Sequence, residues 1–487
     1  MHREFSLIDE FELTGKWWLP DNPDVQLYGI LKFKRNYIIL EVSGIFNKIH
    51  IFQLIRSNIM HGCTDENKKV TLCSVSERHF EGARSTESDS NRNLGKSTFS
   101  CKYIFIGRHY DKLEDIKFAS LGMYFTYLDK WINNKIECKH LGDGKYNLDI
   151  KSLKYELYLE HIESTLYISS IPPILMDSQT DIEVHFTSGI WIKPNKVMNW
   201  MWFQDFINNM KNFLTILMGH PVYPVNLLAE PLDCHNYEDI TICYAVPDPL
   251  IYKDLQSWDI DIPFHNLIKY SNNSSRNIAE TINNWFIKLD LIGPVLDLFF
   301  LTFYDSSMKP YLRFLTLMQA LEIFHRRVCG GKYLSQEDYK PIREALIKAI
   351  PDNLEPDPKQ NLVSKIGSGN EFPLKMRLKK LLNYSPFKYF WIIAKYESGE
   401  PEEFIGKLVN TRNYYTHFNE SPKKPIFSDK ELYRINSELR VILRVFLLNE
   451  IDSKGLYASS NIFSSFFSKL KEKDETEKFE NNKINNV

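Results

Sequence analysis

The sequence predicts an α+β protein, in which a β-rich N-terminal domain is followed by an all-α helical bundle. Short runs of β-branched and aromatic residues, separated by turn signals, fill the first part of the chain. In the last part, apolar residues recur at spacings of three and four, and a polar stretch around residues 272–276 separates the two patterns. We therefore expect domains at residues 1–270 and 271–452, followed by a charged, flexible tail at residues 453–487.

Length and composition narrow the class of protein. The 487 residues exceed one ordinary domain, and the formal net charge of −2 gives no global basic field of the kind that nucleic-acid binders often carry. Seven scattered cysteines are typical of a reduced, cytoplasmic protein. The most apolar stretch, residues 289–304, contains two aspartates and a proline, so we expect no membrane span.

In the N-terminal part of the chain, the predicted strands are VQLYGILKF, YIILEVSGIF, KYIFIG, KYELYLEH and TLYISSIPP. A helix over residues 197–219 should end at Gly219, with the strand-like ITICYAVP after it. Further helices are expected at residues 278–291, 294–305, 310–328, 336–349, 373–382, 401–417 and 429–451. Ser428 or Asp429 is a plausible N-cap for the last helix.

Late in the helical part, the motif RNYYTH places Arg412 five residues before His417. This pair suits RNA cleavage in which the phosphoryl group passes to the neighbouring 2′-hydroxyl. Arginine stays charged and can stabilise the additional negative charge of the five-coordinate transition state. Histidine has a pKa near neutrality, so it can exchange a proton with the 2′-hydroxyl or the leaving 5′-oxygen. Because this chemistry needs no metal, we expect no metal site and no cofactor.

The spacing alone leaves two interpretations open. In the second one, His417 caps or packs against the next segment, and Arg412 pairs with a carboxylate such as Glu402 or Glu403.

Helix geometry adds a further constraint. Positions five apart in a regular helix diverge by about 140°, so Arg412 and His417 do not face one phosphate together, whereas Asn413 and His417 share a face. Either the helix is distorted within the motif, or two copies of the chain contribute side chains to one shared cleft.

Three other patterns are interpreted as non-functional. Arg56 and His61 have the same spacing, but they lie on a predicted strand that runs into a turn. Residues 95–98, GKST, lack the spacing and the leading strand of a phosphate-binding loop, so we expect a solvated loop. The pair at residues 234–235 and Cys243 provide too few ligands for a structural zinc site.

Several segments resemble a known family. RNYYTH within VNTRNYYTHF resembles the Arg-x4–6-His signature of HEPN domains, which are small helical ribonuclease domains common in bacterial toxins and phage-defence proteins. FLTLMQALEIFHRR at residues 314–327 and LKMRLKKLL at residues 374–382 resemble the preceding helices of the HEPN domain in the ApeA family of abortive-infection proteins. GKWWLP at residues 15–20, with YGILKF and SGIF after it, is similar to the opening of the ApeA N-terminal domain.

This resemblance implies a metal-independent endoribonuclease that dimerises through its helical domain and arrests growth on phage infection. Arg412 would stabilise the phosphate, His417 would be the general acid/base, and Asn413 would orient the substrate or the histidine. Glu322 matches an acidic position on an earlier HEPN helix, although a surface salt bridge with Arg326 explains it equally well.

His325 and Arg326, on the turn after Glu322, are expected to face the same cleft. A basic cluster, which could hold RNA phosphates, consists of Lys375, Arg377, Lys379 and Lys380. Alternatively, these residues form a solvated helix face.

Our leading hypothesis is therefore an abortive-infection toxin that cleaves RNA, with tRNA as the expected target and a phage-derived trigger sensed by the N-terminal domain. The first alternative is a non-catalytic dimeric module that binds nucleic acid or senses phage. A weaker alternative is a metal-dependent hydrolase that uses Cys234, His235 and Cys243.

Overall fold

The computed structural model describes residues 5–34, 36–46, 55–82, 95–132, 136–142, 145–150, 154–177, 182–232, 239–245, 275–305, 307–384, 388–418 and 424–452. By its internal contacts the chain divides into two compact units, residues 1–283 and 284–487. Within these described ranges, the first unit is β-rich and the second is helical, so the predicted α+β fold class is confirmed.

The first six strands form a closed antiparallel ring. They are β1 (Phe11–Leu19), β2 (Asn22–Lys34), β3 (Tyr37–Ser43), β4 (Arg56–Thr64), β5 (Lys69–Gly82) and β6 (Gly95–Ser100). The order around the ring is β5-β4-β1-β2-β3-β6, and the last strand pairs again with β5. The long β5 makes this possible because its residues 69–76 pair with β4 and its residues 76–82 pair with β6, with an irregularity in the second pairing between Glu77 and His79.

The remaining strands of the unit are β7 (Tyr103–Ile106), β8 (Lys117–Phe118), β9 (Ser120–Phe125), β10 (Ile136–Gly142), β11 (Lys145–Ile150), β12 (Lys154–Leu159), β13 (Ser164–Asp177), β14 (Ile182–Pro194), β15 (Met198–Asn199), β16 (Pro224–Glu230) and β17 (Ile240–Tyr244). From β5 the sheet continues through β7, β17, β16, β9, β14, β13 and β12, while β10 pairs with β11 and β8 with β15. A short helix, α1 (Leu128–Ile132), follows β9.

The strands form where the sequence alternates. In β1, inward positions such as Trp17 are buried and their neighbours are exposed, which is the period-2 pattern of a half-buried strand. Gly62 lies against Trp17, and a Cβ atom at Gly62 would stand 2.3 Å from the indole ring. Glycine at this position therefore lets the sheet close over the buried tryptophan.

The helix predicted over residues 197–219 is α2 (Trp200–Met218). The side chain of Asn199 accepts a hydrogen bond from the N–H of Trp202 and caps the first turn, and Gly219 ends the helix in the left-handed conformation. Phe203 of this helix is buried against Phe118. The predicted helix and its stop at Gly219 are confirmed.

The second unit contains the helices α3 (Ser275–Tyr304), α4 (Pro310–Val328), α5 (Gln336–Lys348), α6 (Pro356–Ser368), α7 (Leu374–Leu381), α8 (Tyr389–Ser398), α9 (Pro401–His417) and α10 (Asp429–Ile451), of which α3 begins in the first unit. No helix in the described ranges combines the length and the apolar character needed to cross a lipid bilayer.

One continuous helix replaces the two that were expected on either side of Pro294. Proline has no N–H, so the carbonyl of Asp290, four residues earlier, loses its bond within α3. Arg327 of α4 takes over this role: it donates to the carbonyl of Asp290 at 2.7 Å and to that of Leu291 at 2.5 Å. An arginine from a neighbouring helix thus lets α3 pass through the proline.

The core of the second unit forms around α10. Ser428 is its N-cap, and Ser428 and Glu431 bond reciprocally in a capping box. The predicted apolar stripe of this helix is buried, and its members are Leu432, Ile435, Leu439, Leu443 and Phe446. Phe446 stacks on Phe324 of α4 with ring centroids 5.5 Å apart. The N-cap and the stripe are therefore confirmed.

Candidate active site

The RNYYTH motif forms the last turns of α9, which runs unbroken to His417. Phe418 then adopts the left-handed conformation, with φ 46° and ψ 47°, and its N–H donates to the carbonyl of Tyr414 at 2.7 Å. Since the helix is regular through the motif, distortion does not bring Arg412 and His417 onto one face.

Arg412 and His417 are both available to a ligand. Arg412 is half-buried, and among the described residues its guanidinium donates one hydrogen bond, to Oδ1 of Asn413 at 3.2 Å. His417 is exposed at the end of the helix. Glu402, a carboxylate considered for Arg412, pairs instead with Lys379 at 2.7 Å, about 15 Å away along the helix axis. Among the described residues, no carboxylate forms an ion pair with Arg412.

The helix that carries the motif is anchored at two points. The buried Thr411 hydroxyl donates to the carbonyl of Lys407 at 2.7 Å and accepts from the N–H of Phe427 at 3.0 Å. The Tyr415 hydroxyl donates to the carboxylate of Asp429 at 2.9 Å. Burial, together with this carboxylate, raises the pKa of Tyr415 to about 12, so that the phenol stays a neutral donor. These bonds fix the position of the motif relative to α10.

Four aromatic rings surround the end of the motif. Tyr311 of α4 stacks on Tyr415, with centroids 5.3 Å apart and an interplanar angle of 18°. Phe418 contacts Tyr311, Tyr414 and Tyr415 at centroid distances of 5.9, 6.3 and 5.9 Å. The motif itself contains Tyr414 and Tyr415, but only the fold shows that Tyr311 and Phe418 pack against them.

Glu322 is not brought to the motif within one chain. It accepts a hydrogen bond from Arg326 at 3.1 Å, and Arg326 also bonds Glu371 at 2.5 Å. Tyr311 marks the part of α4 that contacts Tyr415, and Glu322 lies about 16 Å farther along the axis of α4. The salt bridge with Arg326 explains Glu322 and Arg326 without a catalytic role.

Arg377 of the predicted basic cluster is buried, with 1% of its surface exposed. It donates from Nε to the carbonyl of Phe372 at 2.8 Å and from Nη1 to that of Gly330 at 3.3 Å, and Nη1 also lies 3.3 Å from Nδ1 of His325. The buried His325 therefore packs on this arginine, away from the expected cleft. The prediction that Arg377 contacts RNA is wrong, because its guanidinium is used inside the protein.

The other members of the cluster lie on the surface, at the opposite end of α9 from the motif. Lys375 and Lys380 are exposed, and Lys379 is half-buried in its ion pair with Glu402. Glu402 lies about 22 Å along the helix axis from His417. These lysines can meet RNA only at a distance from the phosphate that His417 would contact in the same chain.

The second Arg-x4-His pair lies on β4. Positions five apart on a strand point to opposite faces and stand about 16 Å apart. Arg56 is exposed, whereas His61 is 5% exposed and its Nε2 lies 2.9 Å from the carbonyl of Tyr110. This pair cannot act on one phosphate, as its context on a strand predicted.

The structure describes part of the two remaining patterns. Residues 95–98 belong to strand β6 rather than to the expected loop, and Lys96 pairs with Glu41 at 2.8 Å. Cys243 is buried in β17, and this burial raises the pKa of its thiol to about 12. Cys234 and His235 lie outside the described residues. Across the described ranges, no group of three His, Cys, Asp or Glu side chains is arranged to hold a metal ion.

Comparison with known proteins gives one match for each part of the chain. The family model described as ApeA N-terminal domain 1 matches residues 12–299, which is more than half of the 487 residues. The model described as Apea-like HEPN matches residues 315–454, a range that contains Arg412 and His417. Neither the curated proteins nor the solved structures gave a match.

Proposed function

This chain belongs to the ApeA family, and we propose that it is an antiphage endoribonuclease that cleaves RNA with Arg412 and His417. One observation carries the proposal: the exposed His417 and the half-buried Arg412 lie in the final turns of α9, and no carboxylate among the described residues neutralises the arginine. A cation and an imidazole left open to solvent inside a HEPN region suit a phosphate ligand.

The proposed chemistry is transfer of the phosphoryl group within the RNA. The 2′-oxygen attacks phosphorus as its proton leaves, and the 5′-oxygen departs with a proton, which gives a 2′,3′-cyclic phosphate and a free 5′-hydroxyl. Arg412 stabilises the charge that builds up on the phosphorane oxygens. His417 transfers a proton, and Asn413, whose side chain bonds Arg412, holds the guanidinium in position.

We propose that two chains assemble through their helical parts to build one cleft. The reaction needs a base for the 2′-hydroxyl and an acid for the 5′-oxygen, and one His417 cannot fill both roles in one step. The 140° divergence of positions five apart in a regular helix also turns Arg412 and His417 of one chain away from a common phosphate. A two-fold symmetric pair would supply two of each group.

The proposed substrate and the proposed roles of the two domains rest on analogy with the family. We propose that a structured RNA such as tRNA is cut in a loop, because unpaired nucleotides can be splayed into a cleft. Residues 1–270 would sense a phage-derived trigger, and residues 271–452 would carry the nuclease. Glu322 would at most support α4 through its bond with Arg326.

Matched variants test the site. In EDTA, Arg412→Ala and His417→Ala should each lower the cleavage rate of total cellular RNA by about 10²–10⁴-fold, as expected for loss of a general acid/base or of charge stabilisation. Arg56→Ala is the control, because it removes the arginine of the second Arg-x4-His pair from an exposed strand position. It should cut at the parent rate.

Two outcomes would contradict the proposal. The first is full activity in either site variant. The second is a parent protein that binds RNA but does not cleave it, whether it is assayed alone or in lysate from phage-infected cells, while the His417→Ala variant still binds RNA. That result would indicate a non-catalytic nucleic-acid-binding module.

A further inference from the structure

Phe418 follows His417 directly, and 61% of its surface is exposed. Its backbone is left-handed, with φ 46°. At this position after a helix glycine is the usual residue, because a side chain crowds the backbone there. A large apolar residue that is both strained and exposed contributes little to the stability of the fold, which points to a role in contact with a ligand.

The ring of Phe418 is nevertheless held in place. It meets Tyr311 and Tyr415 nearly edge-on, at interplanar angles of 88° and 78°, and Tyr414 at 46°. Tyr415 is itself fixed by its bond to Asp429 at 2.9 Å. The three tyrosines thus hold the ring in place while most of its surface remains exposed to solvent, as a stacking surface requires.

We propose that Phe418 stacks on an unpaired nucleobase of the RNA, next to the phosphate that His417 would act on. This inference rests on the proposed function, and it adds the residue that recognises the unpaired nucleotide: a base that can leave its neighbours would lie against Phe418. A base in a duplex already stacks on both sides and cannot reach an aromatic ring. Stacking on a π-face is tolerant of base identity, so Phe418 favours unpaired RNA without selecting one base.

The position of Phe418 relative to the proposed chemistry supports this choice of ligand. His417 and Phe418 are consecutive residues, so their Cα atoms stand about 3.8 Å apart and both side chains start from the same end of α9. An RNA phosphate that meets His417 at this end of α9 therefore brings the base of the same or the adjacent nucleotide near the ring.

The test measures binding without cleavage. In the full-length His417→Ala background, we would titrate a short unstructured RNA oligonucleotide that carries a fluorescent purine, and separately its fully paired duplex. Phe418→Tyr keeps a stacking face, Phe418→Leu keeps apolar bulk without one, and Phe418→Gly relieves the left-handed backbone. Circular dichroism and analytical ultracentrifugation on the same samples would report folding and assembly.

The expected result is specific to stacking. Phe418→Leu and Phe418→Gly should raise the Kd for the single strand by about 5- to 150-fold and remove the quenching of the purine, whereas Phe418→Tyr should stay within about 2-fold. Duplex binding should be unchanged in all three variants.

The inference is overturned if Phe418→Leu binds the single strand as tightly as Phe418→Tyr. It is also overturned if both Phe418→Leu and Phe418→Gly lose the assembled state, because the ring would then be a contact between chains. Failure of the proposed function appears separately, as an absence of cleavage by the parent protein, and leaves this binding measurement valid.

Discussion

Arg377 shows that the type of a residue does not by itself determine its role. In the sequence it is one of four cations within six positions, which favoured an RNA-binding surface. In the structure its guanidinium bonds the carbonyls of Phe372 and Gly330 and contacts His325. Burial lowers the pKa of this arginine, but its ordinary value is so high that it stays charged at neutral pH. The buried cation joins the two ends of the segment that carries α5 and α6.

The residue-scale prediction concerns stability. Arg377→Ala should lower the free energy of unfolding by about 2–4 kcal/mol, because it leaves buried polar partners unsatisfied. Lys375→Ala, two positions earlier on the exposed face, should change it by less than about 0.5 kcal/mol. Urea denaturation of both variants measures the difference. Equal effects would contradict the structural role of Arg377.

Only part of the candidate site could be predicted from the sequence. Arg412, Asn413 and His417 stand in one short motif, so a local pattern is enough to find them. Phe418 and Tyr311 are separated by more than 100 positions, and no local pattern pairs them. Their contact depends on the antiparallel packing of α4 and α9, which is a property of the assembled core.

Among the elements, α3 differs from the sequence prediction in being one continuous helix. A proline usually ends or kinks a helix, and at Pro294 this rule predicted two helices. The rule failed because Arg327, which is distant in sequence, bonds the carbonyls of Asp290 and Leu291. Sequence patterns carry no information about such a partner.

The element-scale prediction is an energetic coupling between these residues. Arg327→Ala should lower the free energy of unfolding by about 1–2 kcal/mol in the parent protein, since it leaves the carbonyl of Asp290 without the donor that replaces the missing N–H of Pro294. In a Pro294→Ala background the helix regains its own N–H donor, so the loss should be smaller by about 1 kcal/mol. A double-mutant cycle in urea measures the coupling. Strict additivity would show that Arg327 does not compensate for the proline.

In the helical unit, two of the described helices were missing from the sequence prediction, for opposite reasons. The start of α6, Pro-Asp-Pro-Lys, has the composition of a turn, yet Pro356 occupies the first helical position, where proline is well tolerated. The first residues of α8, YFWII, have high strand propensity, but the segment packs as a helix against α9. Tertiary contacts overrode local propensity in the second case.

At the scale of the whole molecule, alternating segments were sufficient to predict the β-rich unit but not its topology. The closed ring depends on β5, which pairs with β4, β6 and β7 along one strand. Nothing in the local sequence of β5 distinguishes it from a strand with two neighbours. The division into a β-rich and a helical unit could be predicted because the hydrophobic period itself changes along the chain.

The whole-molecule prediction concerns assembly. If two chains build one cleft, analytical ultracentrifugation should give twice the 57.5 kDa mass of the chain. After complete subunit exchange, an equal amount of His417→Ala protein should lower the activity of the parent protein to about half, because half of the dimers become mixed and inactive. Arg56→Ala protein added in the same way should not lower it. Unchanged activity in the mixture with His417→Ala would mean that each chain acts alone.

The proposed function depends on the transfer of a phosphoryl group to the 2′-oxygen by His417 and Arg412 without a metal. The most direct measurement is to incubate the protein with total cellular RNA in EDTA and to determine the chemistry of the new ends. We expect discrete cuts that carry 2′,3′-cyclic phosphate and 5′-hydroxyl groups, and we expect these cuts to disappear in His417→Ala. Fragments with 3′-hydroxyl and 5′-phosphate ends, or cuts that persist in the variant, would contradict it, because such products come from attack by water or from another site.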